Sequence, residues 1–287
     1  MLGHALWREC RGRSETHATL RAPSPEATGV PLVDAAGAVP GVRAEALSTV
    51  ERALDVTQPD VVVNCIGIVK QAASAHDAVG LVRLNALFPH QLASSCASRG
   101  IRLVHVSTDC VFSGRRGRYD EGDTPDPVDL YGRSKLAGEP SGPHVLTLRT
   151  SMIGWELGGR RQGLLEWFVG QSGGSVRGYT HAVFSGPTTP VLARAIVTTI
   201  EQHPDLNGTW HIAAEPVAKH DLLIGLRAAL GLEIEIVPDD DVTIDRSLDG
   251  SAFHAASGWL APRWEEMLSE LAAGAPERAR GQAVAGR

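Results

Sequence analysis

Three short aliphatic runs, each ended by a turn-forming or hydroxyl-bearing group, constrain this chain more than any other feature. They are V-V-V-N-C-I-G (61–67), I-R-L-V-H-V-S-T-D (101–109) and H-V-L-T-L-R-T (144–150). Near-continuous β-branched runs of this kind suit strands of a parallel sheet covered on both faces. Helical periodicity fills the spaces between them. Residues 44–56 precede the first run. Residues 77–99, with Leu81, Leu84, Leu87, Leu92 and Ala93 on one face and Gly100 at the end, precede the second. Residues 131–139 open a helix before the third. Upstream, Leu2, Ala5, Leu6 and Cys10 form a partial helical stripe, 17–21 reads as a short strand and 30–33 as another. Strand–helix alternation with right-handed crossovers predicts an α/β fold, a doubly wound parallel sheet.

After residue 150 the regularity weakens. The Gly/Arg/Ser-rich stretches 158–163 and 170–178 read as loops around a helix at 163–171. A helix follows Pro187 to about 202, a turn and strand occupy 207–213, and a helix spans 219–230. A half-exposed strand at 233–238 and a last helix over 262–271 complete the pattern. The expected organisation is a main domain at 1–150 and a smaller lobe, mainly 151–276, with some segments returning to the main domain. Residues 277–287 form a flexible tail.

The 287 residues carry 27 basic and 33 acidic side chains, a net charge of -6. No concentrated positive charge marks a nucleic-acid partner. No run approaches the roughly 18 apolar residues of a membrane span. The start is too short and polar for a secretory signal, so the expected location is cytoplasmic. Cys10, Cys65, Cys96 and Cys110 are widely spaced, without a C-x-x-C, and read as reduced thiols. The eleven histidines show no metal-ligand spacing, so no metal centre is expected. Asp239, Asp240 and Asp241 read as a solvated acidic loop, with loose divalent binding as the alternative.

In open parallel sheets, ligands bind beyond the carboxyl ends of the strands. Gly67, Ser107, Thr108, Asp109, Arg149, Thr150 and Ser151 all fall at such ends. Tyr131 and Lys135, four residues apart, share one helical face. A free tyrosine, with a pKa of about 10, is a poor acid at neutral pH. A nearby ammonium is expected to lower that pKa, and could also hold a ribose hydroxyl. Thr108 is placed to hydrogen-bond a carbonyl oxygen. Together the three describe general-acid catalysis of ketone reduction, the hydride coming from a dihydronicotinamide. Each feature alone has a plainer account: a solvated Lys beside a packed Tyr, or a hydroxyl capping a turn. Asn85 interrupts an apolar helix face. It is either a satisfied structural amide or a support for the active-site helix or a water. Arg21 either meets a cofactor 2′-phosphate, which favours NADPH, or is a surface arginine.

The segments S-T-D-C-V-F-S-G (107–114), Y-G-R-S-K-L-A-G-E (131–139) and L-R-T-S-M-I-G (148–154) resemble the extended short-chain dehydrogenase/reductases. Within that superfamily they are most similar to the dTDP-4-dehydrorhamnose reductase family, the RmlD-like reductases of 4-keto nucleotide sugars. P-T-T-P (187–190), G-T-W-H-I-A (208–213) and Trp264 extend the similarity over nearly the whole chain. The resemblance implies a Rossmann-like fold with an NAD(P)-binding domain and a substrate-binding lobe. It implies an oxidoreductase of deoxy-sugar and cell-surface polysaccharide biosynthesis, such as dTDP-rhamnose biosynthesis. The cofactor would be NADPH, with NADH open, the partner a nucleotide-sugar substrate, and a homodimer is admitted. Thr108, Tyr131 and Lys135 would be catalytic, and Asn85, Ser107 and Asp109 supporting. Gly3, Arg21, Cys65, Ile66, Gly67, Tyr131 and Lys135 would contact cofactor. Lys70, Gln71, Val183, Phe184 and Arg246 are candidates to face the substrate.

The family opens with a strand and a G-x-x-G-x-L-G turn. Here Gly3 resembles only the last glycine, so the first strand is expected to be missing from the sheet and translation to start upstream. Two alternatives stand beside the reductase. One is a nucleotide-sugar epimerase. The other is a nonenzymatic regulatory or binding subunit, because this fold also includes a regulatory partner of methionine adenosyltransferase.

Overall fold

The computed structural model describes residues 1–24, 37–70, 77–156 and 163–275. The first part contains α1 (Leu2–Cys10), β1 (Ala18–Thr19), β2 (Ala38–Val39), α2 (Leu47–Thr57), β3 (Val61–Asn64), α3 (Ala78–Leu81) and α4 (Phe88–Ala97). It continues with β4 (Arg102–Val106), α5 (Leu130–Ala137) and β5 (Val145–Arg149). Then come α6 (Leu164–Val169), β6 (Ser175–Tyr179), β7 (Ala182–Phe184), α7 (Thr189–Gln202), β8 (Gly208–His211) and β9 (Val217–Ala218). The chain ends with α8 (Lys219–Leu230), β10 (Glu235–Asp239), β11 (Ile244–Asp245), α9 (Ser251–Ser257) and α10 (Trp264–Ala273).

The main sheet runs β3-β4-β5-β8, all parallel. Successive side chains point to opposite faces. Leu103 and Val145 therefore join Val50, Leu54, Phe88, Leu92 and Cys96 of α2 and α4. Val104, Leu146 and Leu148 join Leu2 and Leu6 of α1 and Leu192 and Ile196 of α7 on the other side. Every residue of β5 is buried, as a central strand between two helical layers requires. The strand at 208–211 lies beside β5, so the main sheet draws on chain well past residue 150.

β1 and β2 form a separate parallel pair. Among the described residues, no strand joins that pair to β3, where the resemblance leads one to expect a further strand. β3 is only half-buried over Val61–Val63, unlike β4 and β5.

The smaller lobe has its own core of Trp155, Leu165, Phe168, Leu222, Leu223, Leu226, Leu268 and Leu271. It holds the parallel pair β6–β10 and the sheet β11-β7-β9. The loop expected at 170–178 is a turn over 170–174, but 175–178 belong to β6. Its partner β10 lies about sixty residues downstream, and a pairing so remote leaves no local periodicity. Gly178 permits it: a Cβ there would sit 2.8 Å from Ile236 Cγ2. The first aliphatic run also stops early. Asn64 Oδ1 accepts the Ile66 N–H at 3.0 Å, a side-chain turn that ends the strand before Gly67. The strand expected at 30–33 lies outside the described residues, as do Gln71 and residues 277–287; the observed β2 is at Ala38–Val39. β7, β9, β11 and α9 had no expectation.

The helical pattern over 77–99 is interrupted by a π-turn at Val82–Leu87. Pro89 has no N–H for the Asn85 carbonyl four residues earlier. The Phe88 N–H bonds Arg83, five residues back, instead. The displaced Asn85 carbonyl lies against Gly138, at the end of α5, where a Cβ would fall 1.8 Å from the oxygen. All four cysteines are free. Among the described residues there is no cluster able to hold a metal ion. Arg177 pairs with Asp239 and Asp241 in the acidic loop. No described helix is long and apolar enough to cross a membrane.

Candidate functional site

The site forms beyond the carboxyl ends of β3, β4 and β5. β4 delivers Ser107, Thr108 and Asp109, and α5 begins beneath them. Asp129 caps α5 by accepting the Gly132 N–H at 2.8 Å. Gly132 lies so close to the Cys110 carbonyl that a Cβ would be 2.2 Å from it. That approach sets Tyr131 beside Thr108, whose side chain acts to lower the pKa of the phenol. Lys135, one turn on, is buried, with Nζ donating to the Val106 carbonyl at 2.8 Å.

The charges do not act as the spacing suggested. The Tyr131 hydroxyl is raised above its ordinary pKa, not lowered. Burial is the main cause, with Cys110, Asp109 and Asp129 acting in the same direction. Lys135 is directed at the Val106 carbonyl and gives the phenol no such help. Burial lowers Lys135 to about 8, opposed chiefly by the charge of Glu139. In this state the tyrosine keeps its proton, and the lysine is close to giving one up.

Glu139 and Arg149 form the support. Arg149 bonds Glu139 in bidentate fashion at 2.9 and 2.8 Å, and Ser107 Oγ donates to the same carboxylate at 2.6 Å. The guanidinium lies over Phe112, itself stacked on Tyr119. Glu139 therefore ties the end of β4 to α5 and β5. It follows Lys135 by four residues, a repeat of the Tyr131–Lys135 interval that the motif already displayed. Asn85 acts as a structural clamp. Its amide accepts the Ile68 N–H at 2.8 Å and donates to the Ile68 carbonyl at 3.0 Å and to Ser134 at 3.2 Å. This joins the segment after β3 to α5.

The remaining expected residues fall in three places. Cys65, Ile66 and Gly67 form an exposed ledge after β3. Gly3, at the amino end of α1, faces that ledge: a Cβ on it would lie 4.0 Å from Cys65 Cβ. Arg21 lies past β1, on the surface, and pairs with Glu45 at 2.9 Å. Lys70 pairs with Asp129 at 2.6 Å. Arg246 Nε donates to the Phe112 carbonyl at 2.9 Å, and its charge is felt at Asp109 and Cys110. Val183 and Phe184 lie on β7, with Phe184 in the smaller lobe's core near Trp264.

Lys219, at the start of α8, had no signal in the sequence. The smaller lobe carries it to the cleft, where Asp109 is the leading opposite charge acting on it. Lys70, Lys219 and Arg246 thus ring the mouth of the site with positive charge.

A family model described as the RmlD substrate binding domain matches residues 1–226. The chain belongs to the RmlD-like, dTDP-4-dehydrorhamnose reductase family. A relative in Haloferax volcanii, a probable low-salt glycan biosynthesis reductase, is 32% identical over 241 residues, 77% of this chain and 79% of its own length. A dTDP-4-dehydrorhamnose reductase of Mycobacterium tuberculosis is 39% identical over 104 residues, 33% of this chain and 34% of that protein. Among solved structures, an enzyme of Bordetella bronchiseptica in complex with NAD and UDP superposes with a TM-score of 0.79 at 18% identity, covering 99% of this chain and 94% of that one. The RmlD-like chain thus shares the Rossmann-like α/β fold.

Proposed function

We propose that this protein is an NAD(P)H-dependent reductase of a 4-keto nucleotide sugar, acting in deoxy-sugar and cell-surface polysaccharide biosynthesis. The observation that carries the reading is the convergence of Thr108, Tyr131 and the buried Lys135 at the carboxyl end of β4. Family membership supports it, as do the names of the relatives.

The residues present fit a dinucleotide. The ledge at Cys65–Gly67 is exposed and apolar at Ile66. The amino end of α1 meets that ledge, and a helix amino end with free N–H groups favours an anion. Lys135 has donors beyond the one used on Val106, suited to a ribose hydroxyl. When bound, the reduced nicotinamide would supply a hydride to the substrate carbonyl carbon. Thr108 would hydrogen-bond the carbonyl oxygen, and Tyr131 would give that oxygen its proton. The raised Tyr131 pKa keeps the acid loaded at neutral pH. Lys70, Lys219 and Arg246 would face the anionic part of the substrate.

The test is NADPH oxidation in the presence of a 4-keto nucleotide sugar, with the reduced sugar nucleotide identified as product. Tyr131→Phe should lower kcat by on the order of 10²–10⁴-fold while leaving nucleotide binding nearly intact. Unchanged turnover in that variant would remove Tyr131 from the proposal. The same reading keeps the cytoplasmic location and the homodimer as expectations, measurable by fractionation and sedimentation.

A further inference from the structure

We infer that Glu139 is the positioning residue of this site: holding Ser107 and Arg149 on one carboxylate, it fixes Thr108 at the end of β4 relative to the helix that carries Tyr131 and Lys135. The inference rests on the reductase reading above.

Thr108 stands at a strand end and Tyr131 on a helix, so their relative placement depends on what joins the two elements. Lys135 makes one join, from α5 to the Val106 carbonyl at 2.8 Å. It is a poor strut, because the reductase reading directs the same ammonium to a ribose hydroxyl. Glu139 is a better one. It follows α5 directly, and its N–H donates to the Leu136 carbonyl in the last turn at 3.2 Å. Its Oε1 accepts from Ser107 Oγ at 2.6 Å and from Arg149 Nε at 2.9 Å, and its Oε2 from Arg149 Nη2 at 2.8 Å. Two parallel guanidinium bonds set the plane of a carboxylate, so the Ser107 hydroxyl meets an acceptor that cannot swing. The side chains of Glu139 and Arg149 are only 9% and 8% exposed, so water competes little for these bonds.

Ser107 immediately precedes Thr108. The Ser107 N–H donates to the Leu148 carbonyl at 2.8 Å and the Asp109 N–H to the Thr150 carbonyl at 3.2 Å. Thr108 is therefore flanked by two residues pinned to the β5 segment, and Ser107 is pinned again, through its side chain, to the end of α5. Between them Thr108 is extended, and its Oγ1 accepts the Cys110 N–H at 3.1 Å. That bond reports where the hydroxyl stands.

Stability does not account for the carboxylate. Apolar side chains of similar volume often match or exceed a buried ion pair, but they could not hold the Ser107 hydroxyl. The same pair also reaches the substrate side. The Arg149 guanidinium lies 5.4 Å from the Phe112 ring centroid, and the Phe112 carbonyl accepts from Arg246 Nε at 2.9 Å. Glu139 thus aligns Thr108 through Ser107, and Arg246 at one further remove.

Ser107→Ala cuts the link to β4 and leaves the ion pair in place. It should lower kcat by on the order of 10–10²-fold through misplacement of Thr108, with the KM values for NADPH and the 4-keto nucleotide sugar unchanged. The double variant Glu139→Leu/Arg149→Met removes both charges, so neither is left unpaired. It should keep a Tm near that of the wild type and yet lose at least as much kcat; adding Ser107→Ala to it should lower kcat no further. In the nucleotide-free protein, amide hydrogen exchange at Cys110 should be faster in Ser107→Ala than in the wild type, as the Thr108 hydroxyl leaves its place. Wild-type kcat in either variant would overturn the inference. So would a further loss on adding Ser107→Ala to the double variant, or unchanged exchange at Cys110. If the wild type reduces no 4-keto nucleotide sugar, the reductase reading fails, and exchange at Cys110 still decides whether Glu139 holds Thr108 in place through Ser107.

Discussion

Replacing Lys135 with methionine should stabilise the nucleotide-free protein at neutral pH, by an amount that shrinks as pH rises. The folded-state pKa of this lysine lies near 8, against an ordinary 10.5, with burial the leading cause. Between those values the unfolded chain binds more protons than the folded one. The lysine's penalty is therefore full below pH 8 and disappears as pH climbs through 10.5, so that folding gains stability over this window. The full penalty is about 3 kcal/mol, of which about 2 kcal/mol should be relieved between pH 7 and 9.5. Methionine has no charge to desolvate, so its stability lacks this slope. It forfeits the bond to Val106, worth about 1 kcal/mol; the attraction of Glu139 is already contained in the value near 8. The net gain at pH 7 should thus be about 2 kcal/mol, by combining those two effects. Urea unfolding of both proteins at a series of pH values measures it. A stability difference that stays constant from pH 7 to 9.5 would refute a lysine held near 8. Activity should be lost in the variant even as stability rises, a trade common at active sites.

Two further substitutions probe the support of the site. Glu139→Ala would strand Arg149 as an unpaired buried cation. It should cost about 3–5 kcal/mol in unfolding experiments and shift Lys135 further below its ordinary pKa, because Glu139 is the leading charge that raises it. Gly138→Ala would drive a methyl group to 1.8 Å from the Asn85 carbonyl oxygen. It should cost about 1–3 kcal/mol or more by overpacking, measured as a fall in Tm, and should depress kcat by moving α5; unaltered stability and activity would mean that the π-turn is not held by this contact.

Much of the main domain was legible because its signals are local. The valine run at 61–63 and the aliphatic run at 102–106 each announce a strand without help from distant chain. Tyr131 and Lys135 declared their shared face by spacing alone. The π-turn was also written in the sequence, in Pro89 four residues after Asn85, yet helical periodicity passes through it unbroken. β6 was not legible, since the strand it pairs with, β10, is remote in the sequence. Arg149 could be placed at a strand end, but not paired with Glu139, because that pairing depends on how α5 crosses the sheet.

By itself, the sequence determined the alternation of strands and helices, the edge on which chemistry would gather and the residue types available there. Those follow from side-chain period and strand direction, which are properties of neighbouring residues. Tertiary structure decided the electrostatics. Burial turned an expected tyrosine-activating ammonium into a destabilised lysine, and the Val106 carbonyl holds its Nζ. Packing raised the Tyr131 and Asp109 pKa values together, and the second lobe brought Lys219 to the cleft. Solvation and charge at a site depend on everything that folds over it, and no local pattern carries that information.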